Sequence, residues 1–65
     1  MKRTIKCNGM ERTTVINAND LFADLCSIFN KENKLKSIKV RAEAESKLII
    51  EATQNGKNVT FVFEK

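Results

Sequence analysis

The sequence has no histidine, proline, tryptophan or tyrosine, and only two glycines and two cysteines among its sixty-five residues. Without an imidazole, Ser27, Ser37 and Ser46 have no partner to activate them, which excludes nucleophilic triads and leaves general acid–base work to carboxylates or lysines. Two thiolates alone cannot complete a tetrahedral zinc site, so neither a metal nor any other cofactor is expected. Cys7 and Cys26 lack the CxxC spacing and fall short of the four or more cysteines of a small secreted scaffold. They read as two reduced, semi-buried thiols, with a bridge open to them only if a helix crosses the first hairpin. The glycines stand singly, so no phosphate-cradling loop exists. No apolar run approaches the ~18 residues that span a bilayer, and Met1-Lys2-Arg3 leads into polar residues rather than the apolar core of a secretory signal. A cytoplasmic protein without a membrane segment is expected.

The composition is ordinary for a globular domain, at 42% hydrophobic and 31% charged. A chain this short accommodates a single small α+β domain, residues 1 to 65, with one core and much apolar surface left wet; dimerisation would relieve that exposure. It also has little room for a substrate-sized cleft, so no small-molecule substrate is expected and the chain does not read as an enzyme.

Among the residues present, Gln54-Asn55-Gly56-Lys57 is the strongest local signal. Asn-Gly tolerates the positive φ angles of a two-residue type I′ hairpin, and this fixes a register: Ala52 opposes Val59, Ile50 opposes Phe61 and Leu48 opposes Phe63 on one face. On the other face Thr53 meets Asn58, Glu51 meets Thr60 and Ile49 meets Val62. A second Asn-Gly, at Asn8-Gly9, predicts an N-terminal hairpin in which Cys7 meets Met10, Lys6 meets Glu11 and Ile5 meets Arg12. Val15 then falls opposite to Ile5 and Cys7, and a bulge in the second strand is expected to correct the alternation.

Asn17 suits a helix N-cap, with Asp20 at N3 and Ile16 placed to staple onto Leu21. Leu21, Phe22, Leu25, Ile28 and Phe29 recur at helical period, which predicts a helix over about residues 18 to 32 that buries all five, ending at a left-handed Asn33. Residues 37 to 44 alternate, with Ile38, Val40, Ala42 and Ala44 inward and Lys39, Arg41 and Glu43 outward. Setting Ala44 opposite Leu48 calls for a three-residue connection, Glu45-Ser46-Lys47. The order is ββαβββ: a two-layer α+β sandwich, with a mainly antiparallel sheet of four or five strands and one helix on one face.

Two surfaces are candidates for function. Two layers leave one sheet face open, where Ile49, Val62 and Val15 would lie among Arg41, Glu51 and Thr60. An apolar centre with a rim of both charges suits a self-complementary interface, and an exposed edge strand offers a second route to the same homodimer. The leading expectation is therefore a non-enzymatic protein-binding or regulatory module, of the small accessory kind that phages and mobile elements encode. The alternative is nucleic acid. The chain carries net charge +4, with Lys31, Lys34, Lys36, Lys39 and Arg41 set against Glu32 alone over residues 31 to 41. Such a cluster could track a phosphate backbone. With all four phenylalanines assigned to the core, however, no stacking platform is expected beside it. Glu43 and Glu45 read as part of a solvated charged face rather than a catalytic pair.

Overall fold

The computed structural model describes residues 1 to 30, 32 and 34 to 65. The chain runs through β1 (Lys2–Cys7), β2 (Met10–Val15), α1 (Ala18–Ile28), β3 (Leu35–Ala44), β4 (Lys47–Gln54) and β5 (Lys57–Glu64). All five strands form one sheet in the order β2-β1-β5-β4-β3, antiparallel throughout, and the helix covers one face. This is the expected two-layer α+β arrangement. The N-terminal hairpin joins the main sheet because β1 pairs with β5, Lys2 opposite Glu64 and Cys7 opposite Val59.

Both Asn-Gly turns take the predicted form, with φ of 54° and 75° at Asn8 and Gly9 and 54° and 76° at Asn55 and Gly56. Positive φ at both central residues matches the twist of the flanking strands, and the β4–β5 register follows as predicted. Two expectations are corrected. First, β2 has no bulge: Val15 pairs in register with Lys2 and stays on the open face, while the next residue, Ile16, turns into the core and donates its N–H to the Met1 carbonyl. Second, β3 and β4 are joined by the two residues Glu45 and Ser46, with Ala44 opposite Lys47 and Ala42 opposite Leu48. Parity is restored by a register shift between Ala42 and Ala44. A further shift between Lys36 and Lys39, where Ser37 sits at φ 55°, turns Ile38 onto the helix side.

The helix starts where local chemistry dictates. Asn17 accepts from the Asp20 backbone N–H at 2.8 Å, and the Asp20 carboxylate accepts from the Asn17 N–H at 3.2 Å, so two orphan donors are satisfied reciprocally. It ends at Ile28, about a turn earlier than predicted, with Phe29 as C-cap and the Asn30 side chain accepting from the Glu32 N–H. That local bond offers the backbone an alternative to another helical turn. The Asn33 stop expected from the sequence lies outside the described residues.

The core joins Ile16 and Ile28 to Ile50 and Phe63 of the sheet, with Leu21, Leu25, Leu35, Ile38, Leu48 and Phe61 packed around them. Here the five-residue stripe is corrected. Leu21, Leu25 and Ile28 face the sheet, whereas Phe22 and Phe29 remain 70% and 52% exposed. Successive helical residues point about 100° apart, so Leu21 and Phe22 cannot both sit at the centre of one contact face. The fourth inward position is taken by Asp24, whose carboxylate accepts from Arg3 Nη1 of β1 at 2.7 Å.

Candidate functional site

The open face is built from residues that alternate with the core. Across its middle, Thr4 of β1, Val62 of β5, Ile49 of β4 and Arg41 of β3 are successive cross-strand partners. One row over lie Glu11, Lys6, Thr60, Glu51 and Lys39. All of these except Lys39 line a shallow hollow of about 410 Å³. Five of the six expected interface residues meet there: Ile49, Val62, Arg41, Glu51 and Thr60. Val15 does not line it; it sits at the far end of β2, exposed, beside Lys2.

The hollow is not the bare apolar centre that the sequence suggested. Ile49 and Val62 are each only 7% exposed, and Thr4 beside them is buried with its hydroxyl 3.0 Å from that of Thr13. Long side chains account for this. Lys6, Lys47, Glu51 and Glu64 line the hollow around the two apolar residues, and long charged side chains of this kind cover apolar surface with their stems while keeping their charges in water. Arg41 stands 3.5 Å from Glu51 and 3.4 Å from Glu43, and Lys47 stands 3.7 Å from Glu43. These exposed pairs each contribute little to stability, but they neutralise the rim locally.

Exposed apolar surface gathers elsewhere, on the helix side beside the β3 edge. Val40 is 54% exposed although it is the cross-strand partner of fully buried Ile50. Asp24 faces β1, so the opposite flank of the helix, which carries Phe22 and Phe29, overhangs the β3 side. Cys26 is exposed on the same flank, and both cysteines are free thiols. The sequence carried a signal of this second patch that went unread: Phe22 and Phe29, seven residues apart, define a line of their own about 100° from the one shared by Leu21 and Ile28.

The basic cluster is only partly assembled. Lys36, Lys39 and Arg41 share the open-face side of β3, opposite Thr53, Glu51 and Ile49, but Arg41 is engaged by two carboxylates and Lys39 stands across from one of them. Lys34 and Lys36 border a separate shallow basin beside Thr53 and Asn55. Lys31 lies outside the described residues. Phe22 and Phe29 are exposed after all, but on the sheet's other side, away from these cations.

Among the described residues no group of three or more His, Cys, Asp or Glu stands together to hold a metal ion, and no helix is long and apolar enough to cross a membrane. The molecule is thus a five-stranded, one-helix α+β sandwich with a charged open face and exposed apolar side chains on its helix side. No protein-family model, curated protein or solved structure matches it.

Proposed function

We propose that this chain is a small, non-enzymatic protein-binding module that engages its partner through the free edge of β3 and the helix flank beside it. One observation carries the reading: Val40 of the unpaired strand β3 and Phe22 and Phe29 of the helix flank turned away from β1 are left exposed, whereas Ile49 and Val62 of the open face are each only 7% exposed. An edge strand offers unpaired N–H and C=O groups, so an added strand would supply backbone hydrogen bonds while the apolar strip supplies burial. A homodimer is one form of such binding. The covered floor of the open face makes Ile49 and Val62 poorer anchors than the β3 edge.

A photoreactive phenylalanine analogue placed in place of Phe22 or Val40 tests the reading in cells that express the chain. Adducts to protein are expected from both positions and not from a control at Lys57. No adduct from either position would overturn it. The nucleic-acid alternative draws less support, because Arg41 and Lys39 face carboxylates of the same chain and the exposed aromatics lie on the other side of the sheet.

A further inference from the structure

We infer that the partner at this edge is a second copy of the chain, joined β3 to β3 in antiparallel register about a two-fold axis at Ala42. This rests on the reading of β3 as the binding edge and adds the occupant and the register. When two edges continue one sheet antiparallel, the axis stands perpendicular to the sheet. Residues equally far before and after the axis residue then oppose each other on the same face.

Trying each centre in the regular part of β3 separates the registers by charge. Centred on Lys39, Arg41 or Glu43, the strand sets a charge against its own copy. Centred on Val40, it sets Lys39 against Arg41 twice. Centred on Ala42, it sets Arg41 opposite Glu43 on the open face, while Val40 meets Ala44 and Ala42 meets itself on the helix face. The Arg41–Glu43 and Val40–Ala44 pairs each occur twice, and the charges at positions 41 and 43 meet their opposites. The register shift near Glu43 does not spoil this alternation. Ala42 and Ala44 both border the helix-side hollow with Leu21 and Leu48, while Glu43 stays beside Arg41 and Lys47 on the other face. The other free edge, β2, has no comparable register: Glu11 or Arg12 meets itself, or Glu11 meets Val15.

The same two-fold keeps both helices on one side of a ten-stranded sheet. Their Phe22 and Phe29 flanks then face each other across the paired strands, and the exposed strip with Val40 becomes interior to the dimer. The charge order of β3 and the exposure of Phe22 and Phe29 on the helix flank turned away from β1 are thereby both accounted for.

Analytical ultracentrifugation of the purified full chain tests it. The wild type should sediment as a dimer. Arg41→Glu makes positions 41 and 43 both acidic and Glu43→Arg makes both basic, so each variant alone repels its own copy. Each should raise the dimer Kd about tenfold or more. Mixed in equal amounts, the two variants should recover the dimer mass, because acidic then meets basic at every pair. A circular dichroism spectrum like that of the wild type establishes that each variant is folded. A monomeric wild type, an unaffected Arg41→Glu dimer, or a mixture that stays monomeric would each overturn the inference. Photo-adducts to other proteins from a monomeric wild type would leave the edge-binding reading standing while this one falls. A monomer with no adducts would remove both.

Discussion

Ile50, fully buried at the junction of helix and sheet, shows how little margin so small a core allows. Truncating such a residue costs about 2–5 kcal/mol, which is comparable to the roughly 3–5 kcal/mol that a single core of this size supplies. Ile50→Ala should therefore be largely unfolded in a urea titration, whereas Ile50→Val should stay folded with a lowered midpoint; a normal melt for Ile50→Ala would contradict this packing. The Arg3–Asp24 pair is different in kind. Its side chains are only partly exposed, and Arg3 Nε is buried with no hydrogen-bond partner, so the guanidinium depends on the one carboxylate. Asp24→Ala should cost about 1–3 kcal/mol by leaving that charge without its acceptor. The double variant Arg3→Met with Asp24→Leu should recover part of the loss, which thermal melts of the three proteins will resolve.

At the scale of elements, the helix start and the two hairpins are local devices that respond to local substitution. Asn17→Ala removes the acceptor of the capping box and should lower stability by about 1 kcal/mol. Gly9 and Gly56 have nearly the same positive φ, and a Cβ at either would meet nothing within 4 Å, so Gly→Ala at each adds about 1–2 kcal/mol of backbone strain alone. The consequences should differ by place. Gly9→Ala should speed amide exchange chiefly in the edge strand β2, and Gly56→Ala should speed it across β4 and β5 in the middle of the sheet. Equal exchange patterns in the two variants would contradict this ordering of local stability. The capping box, both turns and the β4–β5 register were legible in the sequence because their physics lies within a few consecutive residues. The two β3 irregularities were not, because a bulge is a compromise between strands and needs the partner's register to be known.

At the scale of the whole molecule, the open face carries the clearest test of burial by neighbours. Ile49 and Val62 were expected to be exposed, and on that view Val62→Lys would leave a folded monomer. Their burial under surrounding charged side chains changes the expectation. Val62→Lys now places an ammonium among Thr4, Ile49 and their rim and should destabilise the monomer by more than 1 kcal/mol, against about ±0.5 kcal/mol for a substitution at an open surface position. A denaturant titration indistinguishable from wild type would show instead that the hollow admits the charge freely.

The sequence by itself determined the element order, the helix N-terminus, both type I′ turns and the alternation that divides β4 and β5 into core and open faces. These rest on steric limits at single residues and on periods of two and 3.6, which neighbouring residues carry in full. Only the tertiary structure decided that β1 lies beside β5, which leaves β2 and β3 as the free edges. It also decided that Asp24 rather than a phenylalanine takes the fourth inward place on the helix, and that Val40 stays exposed while Ile49 and Val62 are covered without a third layer. Each of these depends on which side chains arrive next to one another from distant parts of the chain, and no run of adjacent residues contains that information.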